Sequence, residues 1–303
     1  MSARIALPTL VLAVVAALAS APPTVAGPWG LPSGDWYANL EGSTFTSDTF
    51  HGEGFRSDTG LIVQERALRT VVEVGWKKRM TLVFGLPVLS VTRRDARVQG
   101  TATGFQDVSV GMRYNLLDGE SAIAVELDWS APAGYNRNLD TLGLALGDGR
   151  QELNLQITGG TGFAPGGFFQ WSLGHSYRYL GFGKQSDELV VTDPGHPAKY
   201  LWSRHVTASA DLGLWVGPSF LIGGRYRGKV AISSGLLVEE SDTHLAGPLL
   251  LYRFDDRMDM FAGSWSTAAG RNTLHFDQVY VGFAFRHTKL NRLQGFLGGK
   301  QAS

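Results

Sequence analysis

Cysteine is absent from the 303 residues, so neither a disulfide framework nor a thiolate metal site is open to this chain. An excess of charge of one sign is missing too, since 27 basic side chains stand against 27 acidic ones. With that balance, and with no basic stripe or aromatic RNA-binding motif, nucleic acid is excluded as a class of partner. After the first 26 residues no stretch holds 18 consecutive apolar residues, which excludes a helical membrane span there. The seven histidines, at positions 51, 175, 196, 205, 244, 275 and 287, never fall at His-x-His or His-x-x-x-His spacing. No metal site and no cofactor motif is expected from them.

What is present points to β structure. Thirty-nine glycines with 11% aromatic residues suit many turns and close backbone contacts better than a helical bundle. At the N-terminus Arg4 precedes the apolar run Ile5 to Ala19, and the small-residue stretch "ASAPPTVA" follows. That is the layout of a secretory signal peptide, and the run is shorter than the roughly 20 apolar residues of a spanning helix. Cleavage after Ala26 is expected, with Ala19 as the alternative. The domain reading is therefore a signal peptide over 1–26, a barrel over 27–287 and a periplasmic tail over 288–303.

Strand-like alternation recurs from about Asp35 to His287, and its punctuation has a rhythm of its own. Short turns fall at "KKR" (77–79), "DGE" (118–120), "APGG" (164–167), "VGP" (216–218) and "FDDR" (254–257). Long polar loops are expected near 48–61, 93–104, 131–148, 182–199, 229–242 and 268–275. Short and long connections in strict alternation leave both termini on the short-turn side. This is the pattern of an all-β, transmembrane, antiparallel up-and-down β-barrel of about twelve strands, with short periplasmic turns and long extracellular loops. A sandwich has no reason to place every long loop at one end.

The faces agree in most strands. In "AIAVELDW" the set Ile123, Val125, Leu127 and Trp129 opposes Glu126 and Asp128. In "ELNLQI" Leu153, Leu155 and Ile157 oppose Glu152, Asn154 and Gln156. Ionised groups inside a sandwich would cost several kcal/mol each without partners, whereas a barrel lumen holds them in water and in pairs. The apolar face is read as the lipid face. Trp36, Trp76, Tyr114, Trp129, Trp202, Tyr252 and Trp265, near strand ends, are expected in interfacial girdles. Two segments fit badly: "HLAGPLLLYRF" (244–254) is apolar on both faces, and "MDMFAGSW" (258–265) has no clean polar side. Either the lumen is apolar beside them or a plug covers them. Pro87 and Pro248 demand bulges or unpaired donors within their strands.

Particular strings carry a resemblance: "VEVGWKKRMTLVFGLPVLSV", "TGFQDVSVGMRYNLL", "DWSAPAGY", "LGDGRQELNLQITGGTGF" and "AGRNTLHFDQVYVGFAFR". Together, over roughly residues 60–287, these resemble the outer-membrane proteins linked to the meta-cleavage pathway of phenol degradation. The resemblance implies a barrel of a Gram-negative bacterium that passes small hydrophobic or aromatic compounds; it implies no particular site residues. The end of the chain departs from the family pattern. "VGFAFRH" puts His287 where a terminal aromatic is read by the barrel-assembly machinery, and "TKLNRLQGFLGGKQAS" follows.

A hydrolase of membrane lipids is the rival chemistry, and it needs a Ser/His/acid set. His175 and Ser176 are adjacent and point to opposite faces of a strand. His205 and Ser209 share a face but stand about 13 Å apart, beyond hydrogen-bond reach. Only a pairing between strands would make a triad, and no catalytic residue is assigned. The inward positions carry instead Arg69, Glu73, Arg113, Glu126, Asp128, Glu152, Arg178, Asp211, Arg225 and Arg227. Their mixed signs argue against a strongly ion-selective pore and for a salt-bridged, narrow or partly plugged lumen. The pairs expected are Arg225 and Arg227 with Asp211, and Arg113 with Glu126 and Asp128. The leading expectation is a non-enzymatic channel for small, hydrophobic or aromatic solutes, with membrane lipids and the assembly machinery as further partners. The alternatives are a filled structural or surface-display barrel and a lipid hydrolase.

Overall fold

A computed structural model describes residues 28–52, 55–94, 99–133, 146, 150–163, 166–180, 202–233, 242–271 and 273–287. The expected signal peptide and C-terminal tail lie outside the described residues, as does most of the expected loops at 131–148 and 182–199. Thirteen strands follow one another: β1 (Trp36–Gly52), β2 (Phe55–Lys77), β3 (Met80–Arg94), β4 (Gln99–Phe105), β5 (Asp107–Leu117), β6 (Ser121–Pro132) and β7 (Arg150–Phe163), then β8 (Gly167–Leu180), β9 (Trp202–Trp215), β10 (Phe220–Ser233), β11 (Asp242–Arg253), β12 (Met258–Arg271) and β13 (Thr273–His287). Chain neighbours pair antiparallel except β4 and β5, which both pair with β3, and β1 pairs with β13 from Trp36↔His287 to His51↔Thr273, which closes the sheet into a barrel. Closure through β1–β13 pairs the two ends of the sheet; among the described residues β4 pairs with β3 alone.

Twelve staves make the barrel, because β4 and β5 share one. Strand β3 pairs with β5 through Met80–Gly85 and with β4 through Val88–Arg94. The break between them, at Gln106, faces Pro87, whose carbonyl accepts the Gln106 N–H at 3.0 Å. Proline cannot donate to the ladder, so the partner strand slips past it. At Pro248 the pairing lapses without a slip: β11 and β12 are unpaired between Ala246↔Ser266 and Leu249↔Gly263 and resume in the same register.

The expected short turns are where they were placed. Their left-handed positions are taken by Gly119, Gly166 and Gly217, and by Arg79 (φ 68°) in the two-residue Lys78–Arg79 turn. Three of the expected long loops are corrected. Over 48–61, 93–104 and 268–275 the chain remains largely in strand: β1 and β2 pair out to Gly52↔Phe55, β3 and β4 to Arg94↔Gln99, and β12 runs to Arg271 with β13 starting at Thr273. Glycine and polar residues are frequent in these stretches, so they lack the regular apolar alternation by which a strand is read. Backbone pairing with the neighbouring hairpin sustains them.

No helix among the described residues is long and apolar enough to cross a membrane; the strands cross. Val110, Met112, Leu127, Leu155, Ile157, Leu173, Val279 and Val281 are exposed on the outer face, an apolar belt that water would not tolerate at this size. Trp76, Tyr114, Trp129 and Tyr252 are exposed on that face as expected of girdle residues. Trp265 is not among them. It is 3% exposed and packs inside the barrel with Leu221, Leu249, Phe261 and Tyr280. The register explains the correction: Leu249↔Gly263 and Leu251↔Phe261 put Phe261, Gly263 and Trp265 on the inner row.

Candidate functional site: the lumen

The barrel interior is divided into an ionic sector and an aromatic one. On β5 and β6, Arg113 and Glu126 are register partners, and the Arg113 Nε donates to Glu126. The same guanidinium forks onto Glu73 of β2, at 2.8 and 3.3 Å. All three residues are buried, with exposures of 6%, 6% and 4%, so the cation is shared between two carboxylates with little water to help. Bidentate geometry suits arginine to this role. Gln156 of β7 donates to Glu126 at 2.9 Å and to Asp128 at 3.5 Å. Asp128 is thus held by an amide, and the expected Arg113–Asp128 pair gives way to Arg113–Glu73, because Asp128 stands opposite Gly111 rather than Arg113.

A second cluster lies around Glu152, which accepts from Arg178 of β8 and from Lys229 of β10 at 3.0 and 3.1 Å. A third joins Arg225 to Asp211 at 3.2 Å, with Gln170 donating to the other oxygen at 2.8 Å. Arg227 does not share Asp211 as expected; its guanidinium lies over the Trp265 ring, 4.9 Å from the centroid. Arg69 donates to Ser43 at 2.7 Å and pairs with Glu65 at 3.1 Å and Glu41 at 3.7 Å. Near the turn end Asp259 pairs with Arg253 at 3.0 Å and with Arg286, while Arg253 sits over Trp215 at 4.4 Å.

Every sequence candidate therefore lies on the inner wall, but several partners were missed. Lys229 has the inward parity of Arg225 and Arg227, a signal obscured by reading 229 as the start of a loop. Asp259 lies in a segment with no clean polar face because its inward neighbours are Phe261 and Trp265. The apolar β11 side chains find those neighbours: Leu245, Leu249 and Leu251 line or adjoin the aromatic cluster. Of the two explanations open for residues 244–254, an apolar lumen beside them is the one found.

Chain outside the strands reaches the lumen at two levels. Before β1, residues 28–35 turn into the mouth on the short-turn side. Asn115 donates to the Pro28 carbonyl at 2.7 Å, Trp29 Nε1 to the Gly119 carbonyl at 3.1 Å, and the Leu31 N–H to Thr81 Oγ1 at 3.1 Å. The ring of Trp29 and Pro28 lie so close to Gly160 of β7 that a Cβ there would meet them at 2.7–2.8 Å. At the opposite end Leu146, in the connection between β6 and β7, is buried against Ala67, Leu89 and Val91. Between them lies a cavity of about 630 Å³ bounded by Pro28, Gln156, Ser172, Ser209, Arg227 and Leu245, among others.

The interstrand register places Ser176 directly opposite His205, both inward and buried. That is the cross-strand pairing sequence spacing left open. The Ser176 hydroxyl makes no hydrogen bond, however, and neither does His205 Nδ1, so the two do not form a nucleophile and base. Ser209 is occupied with Ser172 at 2.7 Å. Among the described residues no group of three or more His, Asp or Glu side chains gathers as a metal site.

No protein-family model matches this chain, and no curated protein matches it in sequence. Solved structures match its fold. An outer-membrane channel from Pseudomonas putida aligns with a TM-score of 0.65 at 15% identity, covering 87% of this chain and 99% of the other. The translocator domain of the autotransporter NalP from Neisseria meningitidis aligns at 0.52 and 9% identity, covering 92% and 95%. The β domain of the Bordetella autotransporter BrkA aligns at 0.50 and 12% identity, covering 84% and 99%. The fold is that of outer-membrane β-barrels.

Proposed function

We propose that this protein is a channel of the bacterial outer membrane through which small solutes, hydrophobic or aromatic in character, diffuse. The observation that carries the reading is the cavity inside the barrel, which has donors and acceptors on one wall and Leu245 leading to the Trp265 cluster on the other. A water-filled pore for ions needs no aromatic wall, and a purely structural barrel gains no stability from an unfilled space. The alignment with the Pseudomonas putida protein, itself described as an outer-membrane channel, and the resemblance to the phenol meta-pathway proteins point the same way. Apart from Arg227, cations and carboxylates alternate along the wall, which limits the lumen's preference among inorganic ions.

The test is single-channel recording and liposome swelling with residues 27–303 refolded into bilayers. Small current steps, together with swelling driven by small aromatic alcohols faster than by sugars of the same size, are expected. A second reading, a filled structural or display barrel, is favoured by the density of ion pairs and by residues 28–35 in the mouth. A heat-modifiable, fully folded protein that neither conducts nor passes any solute would establish that reading and end the channel proposal.

A further inference from the structure

Strand β10 carries three cations on one inner row: Arg225, Arg227 and Lys229. The outer two are neutralised, Arg225 by Asp211 and Lys229 by Glu152. The middle one is not. Among the described residues no carboxylate lies within 4.0 Å of Arg227 and no side chain or backbone group accepts a hydrogen bond from it. Its guanidinium rests over the Trp265 ring and lines the cavity, enclosed by the barrel yet open to lumen water. A ring face steadies a cation without cancelling its charge, and it leaves the N–H fork available to a planar acceptor.

The surroundings define what that acceptor is. In register with Arg227 are Ser209 on β9 and Leu245 on β11, and both line the same cavity. Ser209 supplies a hydroxyl, and Leu245 begins the apolar surface that continues to Leu249, Phe261, Trp265 and Tyr280. A ligand fitting both has a charged head of one or two oxygens in a plane and a compact apolar body. Arg227 is a single unpaired cation between two ion pairs, so one negative charge on the head is enough to neutralise it.

We infer that Arg227, seated on Trp265 and flanked by Ser209 and Leu245, is the head-group subsite for small amphiphilic monocarboxylates, acids with an aromatic or alicyclic body. The inference rests on the lumen being the solute path and narrows the class of solute taken from it. Arg227 binds the carboxylate bidentately, and the aromatic wall receives the body.

The protein, refolded in lipid nanodiscs, is titrated calorimetrically with cyclohexanecarboxylate and with its neutral counterpart cyclohexylmethanol. Saturable binding of the acid at least about tenfold tighter than the alcohol is expected, the size of one charge-assisted contact in a partly enclosed site. Arg227→Gln should abolish that preference while leaving the heat-modifiable mobility unchanged, since no carboxylate loses its partner. Arg227→Lys, which keeps the charge and loses the fork, should show a reduced but measurable preference, and it stands in if the glutamine variant does not fold. Equal binding of acid and alcohol, or a preference that survives Arg227→Gln, overturns the subsite. Liposome swelling separates the two readings. Permeation without acid preference removes the subsite and leaves the channel; acid binding that depends on Arg227 but no permeation of either compound removes the channel and leaves the site.

Discussion

Arg113 shows how much depends on one side chain in an enclosed lumen. It alone stands between Glu73 and Glu126, so replacing it with methionine leaves two buried carboxylates facing one another with no cation. Breaking a buried ion pair from one side costs about 3–5 kcal/mol, and Arg113→Met is expected to lose that much in urea titrations of the refolded barrel followed by tryptophan fluorescence. Glu73→Gln keeps the Arg113–Glu126 pair and an acceptor oxygen, and should lose only about 1–2 kcal/mol. Equal midpoints for both variants would mean that lumen water reaches the triad and screens it. At this scale the sequence yields the facing of each charge, because strand parity alone decides it. Pairing was less legible. Glu73 reaches Arg113 across the intervening strand β3, and nothing in the spacing of residues on β2 and β5 states that β3 presents only Thr81 and Val83 between them.

At the scale of elements, the turn rhythm was readable since glycine, proline and aspartate mark tight reversals, and the closing β1–β13 pair follows from an even number of staves. The strand extensions were not readable, because stretches rich in glycine and polar residues have no apolar period to betray them. Residues 28–35 were equally hidden. They form no periodic element; hydrogen bonds running both ways hold them, Asn115 donating to the Pro28 carbonyl, the Leu31 N–H to Thr81 and Trp29 Nε1 to the Gly119 carbonyl, together with the burial of Leu31 and Asp35. Residues 28–33 take no part in the described strand pairing, which begins at Trp36, so the ladder of the barrel survives their removal. Deleting residues 28–33 should therefore raise single-channel conductance several-fold without lowering the yield of heat-modifiable barrel, and Asn115→Ala should give a smaller rise. Unchanged conductance in the deletion would place the narrowest point elsewhere, at the level of the Arg113 triad or of Leu146.

For the whole molecule the decisive property is that two solvents meet one sheet, and their difference can be measured at two adjacent residues. Leu155 is 53% exposed on the outer face in the middle of β7, whereas Gln156 turns inward toward Glu126 and Asp128. Arginine at a lipid-facing position near the bilayer midplane costs about 2–4 kcal/mol; the same cation in the lumen meets water and two carboxylates. Leu155→Arg is thus expected to lower the urea midpoint in vesicles by an amount in that range, and Gln156→Arg to leave it unchanged or raise it. A soluble sandwich would invert the pair, tolerating arginine at 155 and being disrupted by it at 156. Since the backbone, the strand and the introduced side chain are the same in both variants, the sign of the difference reports only which side of the sheet faces lipid.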